Sequence, residues 1–212
     1  MKIITLCNDY YHPGKLIEAA VLRATKPYHT LLFIHDTKDF NSLLFEECDL
    51  FILARSDQSN VEKFPWLSGE IKERFIQYVK AGKGFLILHA GIIGYGKDPK
   101  LKDIFNGYFL HHPPETIVTI DLCPSSEIFT EEFTSFRYSD EHYHLHINDD
   151  ERINIFAYAL SAYGKQPAGW LNTTDGKRVC TLLMGHTSEM LKSVEYISIL
   201  KKAIDWCLRS FA

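Results

Sequence analysis

The sequence predicts an α/β fold, a doubly wound and mainly parallel sheet flanked by helices. Three observations carry this reading. Short apolar runs alternate with helix-like patterns through the first half of the chain. Those runs are apolar at consecutive positions, which is what a strand covered by helices on both faces requires. From Tyr143 to Leu183 several short runs follow one another without long helices between them, which predicts a small antiparallel extension in the C-terminal half.

Ile3–Cys7 is the first strand-like run, followed by the polar turn Asn8–Gly14. Lys15–Arg23 then reads as a helix, with Leu16, Ala19, Ala20 and Arg23 along it and Pro27 beyond its end. Thr30–His35 and Cys48–Ala54 are buried-strand runs. Ser68 caps a helix to Ala81, with Glu70 at its positive end, Ile71, Phe75, Tyr78 and Val79 as its stripe, and Gly82 as its stop. Gly84–Leu88 is the next strand, left through His89-Ala90-Gly91. A short helix over Pro99–Phe105 and a strand over Thr116–Leu122 follow. The extension comprises Tyr143–Ile147, Ile153–Leu160, Ala168–Leu171 and Val179–Met184. The last helix, Val194–Phe211, spaces Ile197, Leu200, Ile204, Leu208 and Phe211 helically. No internal repeat or linker interrupts the pattern, so residues 1–212 are read as one domain.

Hydrophobic residues make up 46% of the chain and charged residues 24%, with a formal net charge of −4. No run of Lys or Arg supplies the cationic face that phosphate backbones need, so nucleic acid is not expected as a partner. Lys201-Lys202, with Asp205 nearby, reads as solvated surface. The five cysteines (Cys7, Cys48, Cys123, Cys180 and Cys207) are odd in number and form no C-x-x-C pair. That pattern predicts reduced thiols and a cytoplasmic protein. No apolar stretch approaches the ~20 residues of a membrane span, and the N-terminal apolar run is too short for a secretory leader. A homodimer is the expected assembly on general grounds.

In a doubly wound sheet, ligands bind beyond the carboxyl ends of the strands. There the chain places Asp9, Tyr10, Tyr11 and His12, then Arg55-Ser56-Asp57, then His89. Later come His111-His112, Ser139-Asp140-Glu141-His142-Tyr143, and Gly185-His186-Thr187. Each cluster also has a plainer reading. His89 after an apolar strand fits a hydrogen-bonded core histidine, and residues 9–14 fit an ordinary polar turn. His142, His144 and His146 alternate, as strand metal ligands do but also as any polar outer face does. Their common placement at strand exits is what raises the functional reading. There is no G-x-S-x-G elbow, no Walker loop, and Gly91–Gly96 (G-I-I-G-Y-G) lacks the dinucleotide spacing.

Several of these segments together resemble the trehalose-utilisation (ThuA-like) family. They are Asn8-Asp9-Tyr10-Tyr11-His12-Pro13, the run Tyr78 to Gly91, Gly107-Tyr108-Phe109 with His111-His112-Pro113, Asp140-Glu141-His142-Tyr143, and Met184-Gly185-His186. The resemblance covers nearly the whole chain in order, with His142 where the family usually has Leu. It implies the flavodoxin-like fold of class I glutamine amidotransferases and a sugar or keto-sugar substrate, by way of 3-keto sugars. An amidotransferase carries its nucleophilic cysteine after the strand that here ends at Leu88, and this chain has His89 there. Without a thiolate no glutaminyl thioester forms, so glutaminase activity is excluded.

Two function classes follow. The first is an enzyme of isomerase, lyase or hydrolase type on a sugar or keto-sugar. His89, Asp140, Glu141 and His186 are its catalytic candidates. Asp9, Tyr11, His12, His112, Tyr143 and Trp170 are its substrate-binding candidates, with Tyr10, Tyr11 and Trp170 available to stack on a ring. His12, His89, Glu141 and His186 form a donor set suited to zinc or another divalent transition metal. Asp140 or Glu141 is expected as base and Tyr143 as donor. The second class is a non-catalytic small-molecule-binding or regulatory domain. Geometry discriminates them: if His12, His89, Glu141 and His186 are too far apart to share one ligand, the catalytic reading has no basis.

Overall fold

A computed structural model of the chain describes residues 1–57, 65–123, 128, 134–148 and 150–209. Its backbone begins with β1 (Lys2–Cys7), α1 (Gly14–Ala24), β2 (Thr30–Ile34), a short α2 (Leu44–Glu47) and β3 (Leu50–Ala54). Then come α3 (Gly69–Lys80), β4 (Gly84–Leu88), the single turn α4 (Lys102–Phe105), β5 (Gly107–His111) and β6 (Thr116–Leu122). The C-terminal half holds β7 (Ser135–Asp140), β8 (His144–Ile147), β9 (Asn154–Ser161), β10 (Gly164–Asn172), β11 (Arg178–Leu182), α5 (Ser188–Lys192) and α6 (Val194–Leu208).

Nine strands form one sheet in the order β2-β1-β3-β4-β11-β10-β9-β6-β7, and β5 pairs with β8 separately. The strands β2, β1, β3, β4 and β11 run parallel. Their consecutive apolar residues divide by parity between two cores. Ile3, Leu50, Ile52, Leu86 and Leu88 face one side with α1, α5 and α6, while Ile4, Leu6, Phe51, Leu53, Phe85 and Ile87 face the other with α3. Double burial is thus the cause of the uninterrupted apolar runs.

The antiparallel part differs from the expected one in three ways. Val179–Met184 was expected there, but β11 lies parallel against β4, because the chain returns to the sheet centre. Tyr143–Ile147 was expected there too, yet β8 leaves the main sheet and pairs with β5, a strand whose mixed pattern hid it. The edge strand β7, Ser-Phe-Arg-Tyr-Ser-Asp, is not among the expected strands; only its last two residues fall in the polar cluster Ser139–Tyr143, since an edge strand needs no apolar run. Among the helices, Ser68 stands at the N-cap of α3 without a capping hydrogen bond, and α4 is shorter than expected. The end of the last helix at Phe211 lies outside the described residues.

Four antiparallel steps separate β11 from β7, so β7 points the same way as the parallel strands. Its exit therefore opens at the same pole as those of β1, β3, β4 and β11. The turn after β4 is held tightly there. A Cβ on Gly91 would lie 2.1 Å from the Leu53 carbonyl oxygen. We expect Gly91→Ala to lower stability by roughly 1–3 kcal/mol, as forced overpacking does. A chemical-denaturation midpoint identical to wild type would contradict the close approach.

Candidate functional site

The loop after β1 is built around one carboxylate. Asp9 Oδ1 accepts the Tyr11 amide (2.9 Å), the His12 amide (3.0 Å) and His12 Nδ1–H (2.7 Å). Its Oδ2 accepts the Ser56 amide and hydroxyl at 2.8 and 3.0 Å. Burial alone would raise its pKa, but the His12 hydrogen bond and the other donors win and hold it at about 2. With Nδ1 engaged, His12 is left with Nε2 to offer.

His89 follows β4 directly, at φ +41°, a left-handed conformation that costs a side-chain-bearing residue energy. Its Nδ1 donates to the Leu183 carbonyl at 2.8 Å. Its Nε2 faces the Tyr143 hydroxyl (2.8 Å), Glu141 Oε2 (3.1 Å) and His186 Nδ1 (3.3 Å). Burial opposes charge on this ring, yet the Glu141 hydrogen bond and the Asp140 and Glu141 charges raise its pKa. Glu141 resists its own burial penalty through His89, His186 and His112, and is held at about 2. Burial and the neighbouring His89 lower the pKa of His186. Tyr143, buried beside the two acids, stays protonated, with its pKa well above the usual 10.

One donor atom from each of His12, His89, Glu141 and His186 lies within 4.8 Å of the others, the one such group of three or more among the described residues. The expected convergence of four distant segments is therefore present. Three of the four, His12, Glu141 and His186, line a cleft of about 540 Å³ together with Tyr11, Ser56, Asp57, Ile93, Phe109, His112 and Tyr143, while His89 lies buried behind them. His112 donates Nδ1–H to the Pro113 carbonyl (2.8 Å) and turns Nε2 toward Glu141 Oε1 (3.4 Å). Ser56, Asp57, Ile93 and Phe109 were not among the expected site residues. The strand exit at Ala54 marks the first two, the family motif Gly107-Tyr108-Phe109 includes Phe109, and nothing local marks Ile93.

Three expected roles need correction. Trp170 is fully buried in the core on β10 and offers no face to a ligand. Asp9 has no exposed side-chain surface, so it orients His12 instead of touching a substrate. Asp140 is no free base: it is buried and accepts the amides of Gly185 (2.8 Å), His186 (2.8 Å) and Thr187 (3.3 Å). The alternating histidines also divide. His142 is buried with neither ring nitrogen hydrogen-bonded, His144 stacks on His111 at 4.5 Å, and His146 packs on Tyr108.

The fold and this site define a class, an α/β domain of amidotransferase-like fold with three histidines and a glutamate gathered at its strand exits. The chain belongs to the ThuA family, described as trehalose utilisation, whose family model matches residues 17–207. No curated protein matches it by sequence. A ThuA-like protein of Parabacteroides merdae superposes with a TM-score of 0.79 at 14% identity, covering 98% of this chain and 90% of that one. One from Bacteroides uniformis gives 0.78 at 17%, covering 98% and 91%. A glutamine amidotransferase from Thermotoga maritima gives 0.64 at 11%, covering 99% of both chains. These likenesses establish the fold. No helix among the described residues is long and apolar enough to cross a membrane.

Two predictions follow. In Asp140→Asn an NH₂ replaces one oxygen that faces backbone N–H donors, which should cost roughly 1–3 kcal/mol of stability; unaltered thermal unfolding would show that the three amides do not depend on the carboxylate. The pKa of Asp9 falls from its ordinary 3.8 to about 2 on folding. Its stabilisation is therefore present above pH 3.8 and lost as pH drops through about 2, on the order of 2 kcal/mol. Acid unfolding of wild type and Asp9→Asn should converge over that window, and parallel curves would refute the linkage.

Proposed function

We propose that the protein acts on a sugar or keto-sugar in this cleft, with His12, His89, Glu141 and His186 holding a divalent transition metal against the substrate oxygens. The convergence of three imidazoles and one carboxylate carries the reading. The donor set fits zinc or another first-row metal. Two of the rings are already anchored through their outer nitrogens, His12 by Asp9 and His89 by the Leu183 carbonyl, as metal-ligating histidines usually are. When bound, such a metal polarises a carbonyl or hydroxyl oxygen.

The chain's own groups supply the rest. The buried Tyr143 phenol donates a hydrogen bond to a substrate oxygen. Glu141 stays anionic at neutral pH, too weak a base to be the main proton acceptor. His112, partly exposed on the cleft wall, takes and returns the proton next to the carbonyl. No lysine or arginine lines the cleft among the described residues, which favours an uncharged ligand. The family's description as trehalose utilisation supports a carbohydrate. Cys7, at the end of β1, is buried and its thiol is pushed up to about 12, far from a reactive thiolate, which speaks against it as a glutaminase nucleophile.

The test is hydrogen–deuterium exchange at the carbons flanking the carbonyl of 3-keto-glucosides, followed by NMR. Wild type should catalyse exchange, and His89→Ala and Glu141→Gln should slow it at least about 100-fold. Both variants exchanging and binding at wild-type rates would remove the assignment.

A further inference from the structure

Each imidazole of the donor group divides its two nitrogens between an inner and an outer duty. His12 gives Nδ1–H to Asp9 at 2.7 Å and keeps Nε2 to offer. His89 gives Nδ1–H to the Leu183 carbonyl at 2.8 Å and turns Nε2 inward. His186 is reversed. Its Nδ1 faces His89 Nε2 at 3.3 Å and Glu141 Oε2 at 3.2 Å, so Nε2 is its outer nitrogen. That nitrogen makes no hydrogen bond among the described residues. It faces the carboxylate of Glu115, with Oε1 3.8 Å away, about an ångström beyond hydrogen-bond reach.

A half-exposed ion pair of this length is worth little to stability. Its position behind a donor is what gives it a use. Glu115 has no other hydrogen bond or ion pair among the described residues, and its side chain is 51% exposed, so the carboxylate is unspent and able to move. It follows Pro113-Pro114 directly. At the other end of the same four-residue segment His112 turns Nε2 to Glu141 Oε1 at 3.4 Å. One segment between β5 and β6 thus reaches the outer atoms of two members of the group.

A histidine that binds a metal through one nitrogen carries its proton on the other, and the hydrogen bond made there sets tautomer and ring orientation. For His186 to offer the Nδ1 lone pair, the proton must sit on Nε2, where a carboxylate favours it. Coordination through Nδ1 draws charge from the ring and makes Nε2–H a stronger donor. We infer that Glu115 is the positioning residue of His186: it closes on Nε2–H when an ion binds, fixes Nδ1 as the ligand atom and tightens the site. It does for the third imidazole what Asp9 and the Leu183 carbonyl do for the other two. The inference rests on the metal reading above and adds to it the acid that completes the donor group.

Zinc affinity of the full-length protein, measured by chelator competition at neutral pH, tests this in Glu115→Ala, Glu115→Gln and Glu73→Ala. Glu73 is an exposed acid paired with Lys100, outside the cleft. Glu115→Ala should weaken zinc binding about 10–100-fold. Glu115→Gln, which keeps an acceptor oxygen without the charge, should recover part of that loss, and Glu73→Ala should bind as wild type does. In zinc-loaded wild type, NMR of the imidazole nitrogens should show His186 metallated at Nδ1 and protonated at Nε2, a readout that needs no variant to fold. Zinc on Nε2, wild-type affinity in Glu115→Ala, or an equal loss in Glu73→Ala overturns the positioning role alone. A wild-type protein that binds no zinc overturns the metal reading and this inference with it.

Discussion

The site depends on one carboxylate, Asp140, at the end of the edge strand β7. Along the sheet β7 lies four strands away from β11, yet Asp140 accepts the amides of Gly185, His186 and Thr187 just after β11. The antiparallel strands must curl back over the pole for this to occur. A register irregularity in β10 between Pro167 and Trp170 marks where the pairing departs from a regular ladder. Thr187 adds a second tie, donating its hydroxyl to the Ser139 carbonyl at 2.8 Å. Only with this stitch in place do Glu141 and Tyr143, from the extension, meet His89 and His186, from the parallel strands.

Around that stitch the acids divide by duty. Asp9 and Asp140 are buried and spend their oxygens on backbone amides and, for Asp9, on His12 and the Ser56 hydroxyl. Behind the Glu141 hydrogen bond, the buried charge of Asp140 helps raise the pKa of His89. Glu141 turns its carboxylate to the imidazoles of His89, His112 and His186. The strained backbone of His89 fits the same pattern, because strain at a strand exit persists only where surrounding contacts over-determine it. Here Leu183, Glu141 and Tyr143 do so.

Much of this was legible in the sequence, for reasons that can be named. The strands β1, β3 and β4 announce themselves because both faces are buried, and the rule that ligands sit at carboxyl ends then selects His12, His89 and His186. Glu141 stands in the polar cluster Ser139–Tyr143 and again in the family motif. What stayed hidden depends on tertiary pairing. The sequence Ser135–Asp140 carries an edge-strand pattern too polar to separate from a loop, and nothing local says that it folds back to β11. Trp170 looked available because an aromatic residue near strand ends can be either core or platform. Asp9 reads as a substrate-binding residue and Asp140 as a catalytic one because a buried, saturated carboxylate and a free one have the same letter. His142 sits in the motif beside Glu141, but its packing against His144 is invisible without coordinates.

The most direct test of the account is the metal content of the purified full-length protein by elemental analysis, for wild type, His89→Ala and His146→Ala. The donor geometry predicts close to one equivalent of zinc or another transition metal in wild type and in His146→Ala, whose ring lies outside the group, and its loss in His89→Ala. A wild-type protein that binds no transition metal even after incubation with excess ion, or a His89→Ala variant that keeps a full equivalent, would contradict the central claim.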